Sequence, residues 1–143
     1  MTDDKIISSI LKKAEKVVYP RNLGIRLVKL EPGHAIAEMK PQKDTNNIYD
    51  TTHGGAIFSL MDEALMASSN SRGRVAVALN MTLTYHQPPK KDSILRAESK
   101  EVHLSNRTAT YRIEVTDENN DLIASCLALV YRKEDKLPFL EEE

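Results

Sequence analysis

Between Gly54 and Ser71 the chain carries a helical run that is apolar almost all round, and this segment limits the folds open to it. Ile57, Phe58, Leu60, Met61, Ala64, Leu65, Met66 and Ala67 leave no broad polar stripe. A helix of that kind has to be wrapped by other structure, because a surface helix shows one polar face. Residues 41–52 before it are polar and without period, so they read as a loop, and Gly73 supplies the stop signal behind it. One carboxylate, Asp62, interrupts the run. Burying an unpaired acid costs several kcal/mol or raises its pKa. The entrance His53-Gly54-Gly55 adds bare backbone N–H groups at a helix N-terminus, which suit an oxyanion. An acid and an anion-accepting turn on one helix fit acyl chemistry.

The rest of the sequence supplies the wrapping. Ile6, Ile7, Ile10, Leu11, Ala14, Val17 and Val18 recur at helical spacing, with Asp3 or Asp4 as cap and Pro20 as stop. Residues 24–30 and 35–39 read as strands joined by the turn Glu31-Pro32-Gly33. After Gly73 the period becomes two. Val75, Val77, Leu79, Met81, Leu83 and Tyr85 alternate with Ala76, Ala78, Asn80, Thr82 and Thr84, giving one bulky and one small face. Strands follow over 93–103, 107–116 and 122–131, the last apolar on both faces as a central strand should be. The expected architecture is α+β, an antiparallel sheet around one long helix. It forms one domain over 1–143, with an N-terminal helix in 1–20 and a frayed polar tail over 134–143. One sheet face does not cover every side of the central helix, so a second subunit is expected to cover the remainder.

Charge and cysteine usage exclude several classes. A charged fraction of 29% and a net charge of −1 lack the basic excess of a nucleic-acid binder. No apolar run is long enough to span a bilayer, and the N-terminus lacks a signal-peptide pattern. The single Cys126 allows no intrachain disulfide and lies in an apolar run. A cytoplasmic location is the expectation. The four histidines, at 34, 53, 86 and 103, are scattered, so no metal site is expected.

Spacing sharpens the chemistry. Gly54 and Asp62 are eight positions apart, roughly 12 Å along a helix. A reacting carbon must lie about 3–3.5 Å from its attacking atom while its oxygen touches the oxyanion donors. One helix cannot serve one carbonyl with both groups. Two helices packed antiparallel about a twofold axis can, so a catalytic pair of Gly54 and Asp62 implies a site shared between two subunits. Plainer readings stand beside this one. Asp62 also fits an exposed helix residue, Gly54 and Gly55 a close-packed turn, His53 a helix cap, Asn47 a turn former, and Asn80 a neighbour-bonded strand residue.

In combination, Asn47, His53-Gly54-Gly55, Leu60, Asp62 and Asn70-Ser71-Arg72-Gly73 resemble the signature of hotdog-fold acyl-CoA thioesterases of the phenylacetate-degradation (PaaI) type. The resemblance runs from about Gly24 to Arg132. It implies that Gly54 offers its N–H to the thioester carbonyl oxygen and that Asn47 and His53 orient or polarise the acyl group. Asp62 of the partner subunit would then act as general base or nucleophile. The family also carries a serine on the following strand; here Ala78 stands in that place, with Asn80 as a possible substitute on the same face. The substrate would be an acyl-CoA with an aryl or medium-chain acyl group, coenzyme A being part of the substrate and no cofactor being needed. Gly55 is a candidate substrate-binding residue at the helix entrance, and Phe58, Met61 and Leu65 are candidates to line the acyl pocket. Lys90 and Arg107, with Lys91 and Arg132, are candidates for the nucleotide phosphates. A homodimer with shared sites, pairing into a homotetramer, is implied as well. The alternatives are a non-catalytic acyl-CoA binding module on the same fold and a dehydratase or hydratase, whose motif is not found.

Overall fold

The computed structural model describes residues 1–140. Its elements are α1 (Asp3–Ala14), α2 (Val18–Asn22), β1 (Ile25–Glu31), β2 (His34–Met39), α3 (Gly54–Asn70), β3 (Arg74–Tyr85), β4 (Leu95–Leu104), β5 (Thr108–Thr116) and β6 (Leu122–Lys136). All six strands join one antiparallel sheet in the order β1-β2-β4-β5-β6-β3. The α3 helix lies across its concave face and touches every strand. This is the sheet-wrapped helix anticipated from the apolar run, and it is the hotdog arrangement that the resemblance implies.

Leu60, Met61, Ala64 and Leu65 of α3 form the main core with Met39, Leu95, Tyr111, Ile113 and Val130 of the sheet. Burying each of the large side chains contributes about 1.5–3 kcal/mol, so the sheet's curl around α3 is driven mainly by this helix. A second cluster joins Ile6 and Ile10 of α1 to Leu30, Ala67, Leu137 and Leu140. It fastens the N-terminal helix beside the C-terminal end of α3.

Several expectations change. The cap of α1 is Thr2, whose hydroxyl accepts from Lys5 N at 3.3 Å, while Asp3 and Asp4 occupy the first turn. Pro20 does not end that helix. The helix breaks after Ala14, and Pro20 is buried in the first turn of α2, where a missing N–H costs nothing. The polar tail is not frayed over its described part: β6 runs on to Lys136, and Leu137 and Leu140 are buried against α1. Residues 141–143 of that tail lie outside the described residues.

A bulge in β3 changes its faces. Ala78 pairs with Val130 and Asn80 with Leu129, so Leu79 is an extra residue and the alternation shifts phase there. Met81 and Leu83 pack against the core, whereas Val77 and Leu79 are exposed. The α3 helix is also better covered by its own sheet than its composition implied. Phe58 is its only exposed large apolar residue, and the wider exposed apolar surface is on the sheet, at Val77, Leu79, Leu127 and Tyr131.

Candidate active site

The loop before α3 is closed on itself. Asn47 Oδ1 accepts from Tyr49 N at 2.9 Å and from Thr51 N at 3.2 Å, and Asn47 Nδ2 donates to Thr51 Oγ1 at 3.0 Å. Asn47 N donates to Thr51 O at 2.8 Å, and His53 N to Thr45 O at 2.8 Å. An asparagine serves here because its amide mimics a backbone turn, and Asp50 adopts the left-handed conformation that closes it (φ 61°). In this chain Asn47 shapes the loop, spending its Oδ1 and one of its two Nδ2 hydrogens in doing so.

That loop delivers His53 to the N-cap of α3. His53 Nδ1 accepts from Gly55 N at 2.8 Å, and His53 O accepts from Ala56 N at 3.0 Å and Ile57 N at 3.2 Å. A side chain on Gly55 would put its Cβ 3.1 Å from His53 Nδ1, so glycine there makes room for the cap. With Nδ1 accepting, the proton of the neutral imidazole is assigned to Nε2, and the residue is exposed. The consequence lies at Gly54. Among the described residues its N–H makes no hydrogen bond, while the three amides after it are all taken. One donor is left open at the positive end of a 17-residue helix.

The sequence pattern missed the group that fixes this turn from the other side. Tyr85, the last residue of β3, donates its hydroxyl to Gly54 O at 2.9 Å. It holds the Gly54 peptide against the sheet, and a Cβ on Gly54 would meet the Tyr85 ring at 3.5 Å, ordinary contact distance. Only the return of β3 alongside the helix N-terminus reveals the pairing, which spans 31 positions.

Asp62 lies on the exposed strip of α3 with Gly55 and Phe58. Its carboxylate makes no hydrogen bond or ion pair among the described residues, and the surrounding protein raises its pKa above the ordinary carboxylate value. The surface is still partly open, so this is a modest desolvation effect. Glu63, which the sequence pattern did not single out, is half-buried, and burial followed by the adjacent Asp62 pushes it up to about 7. Helix continuity from Gly54 to Asn70 keeps Gly54 and Asp62 roughly 12 Å apart within one chain.

Other candidates separate. Met61 and Leu65 are core residues, at 0% and 1% exposure, and do not reach the strip that carries Asp62 and Phe58. Asn80 does not share a face with Ala78, because the Leu79 bulge turns it to the other side, where Asn80 Oδ1 accepts from Thr82 Oγ1 at 2.9 Å. Lys90 and Lys91 follow Tyr85 and lie at the Gly54 end of the fold, with Lys91 on a cleft of about 390 Å³ beside the 46–52 loop. Arg107 is at the opposite end of the sheet, where its carbonyl accepts from Arg132 N at 2.7 Å. Arg132 spends its guanidinium on Ser105 O at 2.6 Å, capping the β4–β5 turn. Among the described residues no cluster of three metal-ligating side chains occurs, and no helix is long and apolar enough to cross a membrane.

A helix wrapped by an antiparallel sheet defines the hotdog fold, and here it carries an open amide at its N-terminus and an unpaired acid two turns on. The thioesterase superfamily model matches residues 49–124. A protein of Archaeoglobus fulgidus is 40% identical over 136 residues, covering 92% of this chain and 88% of its own length. The acyl-coenzyme A thioesterase PaaI of Escherichia coli is 30% identical over 102 residues, covering 71% of this chain and 73% of the relative. Its solved structure superposes with a TM-score of 0.88 at 25% identity, over 95% of this chain and 99% of that one. A Streptococcus mutans protein solved bound to acetyl CoA superposes at 0.75 with 26% identity, over 79% and 91% of the two chains. The chain belongs to the thioesterase superfamily, in its PaaI-type branch, and is an enzyme of that family.

Proposed function

We propose that this chain hydrolyses acyl-CoA thioesters to a carboxylate and free coenzyme A, in sites shared by two copies of itself. The observation that carries the proposal is the open Gly54 N–H, left unpaired while Gly55, Ala56 and Ile57 are all satisfied. The thioester carbonyl oxygen accepts from that amide and from His53 Nε2–H, and the helix dipole favours the negative charge that builds on it. Asp62 of the partner subunit takes a proton from water, whose oxygen attacks the carbonyl carbon. The tetrahedral intermediate collapses, the carbon–sulfur bond breaks, and the proton held by the acid passes to the leaving thiolate. Direct attack by the carboxylate is the other route open to the same geometry. Desolvation suits the first route, since a raised pKa makes Asp62 a stronger base. The names and ligands of the E. coli and S. mutans relatives support the acyl-CoA assignment. We assign the nucleotide phosphates to the Lys90–Lys91 turn, a reading supported by Lys91 lining the cleft beside the 46–52 loop.

Complementation tests the shared site. Chains carrying Asp62→Asn and chains carrying Asn47→Ala should each be nearly inactive alone. Mixed and re-associated in equal amounts, they should recover about a quarter of parental turnover, because half the dimers are mixed and each of those holds one intact site. Mixed dimers that form and stay inactive would refute sharing.

A further inference from the structure

A site shared by two copies fixes how their α3 helices face each other. If Gly54 of one copy meets Asp62 of its partner across a twofold axis, the position midway between them faces itself. That position is Phe58. It is the one large apolar residue of α3 left exposed, at 39%, and it stands in the same open strip as Gly55 and Asp62. The sheet edge beside this strip calls for the same neighbour. β3 ends the strand order, so its outer edge pairs with no strand among the described residues. From Val75 to Tyr85 it carries no charge. The other edge strand, β1, is blunted by Arg26, Lys29 and Glu31 and by a bulge between Leu27 and Lys29. β3 is bulged at Leu79, yet from Asn80 to Tyr85 it pairs regularly with β6. An uncharged edge of that length is one that a second strand covers.

Helix and edge fit one axis. α3 and β3 run antiparallel to each other, with the Tyr85 hydroxyl on Gly54 O at one end and Ala76 N on Asn70 Oδ1 at the other. Phe58 is a quarter of the way along α3, which sets it level with Leu83 in the regular stretch of β3. Asp62 lies on the same side of the helix. The Cys126 thiol, pushed up to about 11 by burial and then by the charge of Asp62, stands opposite Leu83 in the sheet. The chemistry also needs the two helices held apart. The carbonyl carbon sits about 3–3.5 Å from its attacking atom, and its oxygen about 2.7–3.1 Å from the donors. An aromatic pair, with ring centroids about 4.5–7 Å apart, is a spacer of that width. Resting on the proposed hydrolysis in a shared site, we propose that Phe58 meets the partner's Phe58 on the twofold axis. The ring pair is a positioning element that sets the gap between each Asp62 and the thioester at the opposite Gly54.

Charge exchange at position 58 tests the self-contact. Phe58→Lys and Phe58→Glu chains each set like charges face to face on the axis, so each alone should associate about 100-fold more weakly than the parent by sedimentation equilibrium. Mixed in equal amounts, they set opposite charges there, and dimers should return together with acetyl-CoA turnover. Variants that stay dimeric alone, or a mixture that fails to reassociate, would overturn the proposal. Crosslinking checks the same contact without charge. Cys126 is buried, so a short bis-maleimide should link two chains of Phe58→Cys and leave the parent unlinked; absence of the linked pair in the variant is a second way for the idea to fail. For the spacing role, Phe58→Ala dimers should lose about 10- to 100-fold in kcat at nearly constant KM, the cost of misplaced reacting groups, and Phe58→Tyr should retain parental kcat. Equal kcat in Phe58→Ala and the parent would remove the ring pair from the reaction. Parental turnover by Asp62→Asn, with the Phe58→Cys chains still linked, would instead overturn the hydrolysis reading beneath it, so the two failures are told apart.

Discussion

The two ends of α3 are built on opposite rules. At the C-terminal end nearly every polar group in the last turn has a partner. Ser68 and Ser99 share a hydrogen bond at 2.8 Å with both side chains fully buried. Ser71 donates to Ser68 O at 2.6 Å and accepts from Gly33 N at 2.8 Å. Asn70 donates to Met66 O at 2.8 Å and accepts from Ala76 N at 2.9 Å, and Gly73, at φ +90°, lets the chain turn into β3. Arg72 closes the corner with a forked pair to Glu101, at 3.1 and 3.0 Å. At the N-terminal end the cap is also made, by His53, yet one amide is left open, and further along, at the middle of the helix, Asp62 and Glu63 stand unpaired. A fold that satisfies one end so fully has the means to satisfy the other. The open groups mark where a ligand is expected to complete the set.

Substitutions at the two ends should therefore fail in different ways. The largest effect belongs to Asp62→Asn. It should keep acyl-CoA binding and lose about 10²- to 10⁴-fold in kcat, the usual worth of a general base. Equal kcat in mutant and parent would remove the acid from the chemistry and collapse the contrast. Next comes Ser71→Ala at the satisfied end. It strands the buried Gly33 N–H and should cost about 1–3 kcal/mol by denaturant unfolding, with kcat unchanged well below the transition. A loss of kcat without loss of stability would show that this end also serves the reaction.

A smaller effect is expected for Tyr85→Phe, which releases the Gly54 peptide. One hydrogen bond at about 0.5–1.5 kcal/mol corresponds to about a 2- to 10-fold fall in kcat, with KM nearly constant. A change confined to KM would make Tyr85 a substrate contact instead of a positioning residue. The smallest effect concerns pH. Glu63 is shifted from 4.5 to about 7, so its contribution to stability is fully present below 4.5 and is lost as pH rises through about 7. The charged groups around it, Asp62, Glu15, Arg21 and Arg26, are unchanged in Glu63→Gln. That variant should show a flatter melting temperature between pH 4.5 and 7 than the parent; identical slopes would dismiss Glu63 as the source. The acid limb of kcat/KM should lie above the ordinary carboxylate range, since burial raises Asp62 and the base works only when deprotonated.

Local rules read from the residues held where local forces act. The apolar run predicted α3 and its Gly73 exit, the turn at Pro32-Gly33 predicted the first hairpin, and period-two alternation predicted β5. They broke down where a distant contact decides the outcome. Pro20 reads as a stop, but burial against β1 and α3 makes room for a short second helix around it. The polar stretch from Glu134 reads as frayed, but Leu137 and Leu140 find an apolar partner in α1. Leu79 continues a perfect alternation in the sequence, and only the pairing of β3 with β6 shows that it is a bulge, which reverses Asn80.

The sequence by itself determined a helix too apolar to stand alone, an acid on it, a glycine pair at its entrance and strands enough to wrap it. Spacing and periodicity are properties of neighbouring residues, so they survive without coordinates. Tertiary structure alone decided which of the helix-entrance amides is open, that Tyr85 holds the turn, and that Glu63 is half-buried without a partner. Hydrogen-bond satisfaction depends on which chain segments meet, and residues 31 or more positions apart meet only once the sheet has closed.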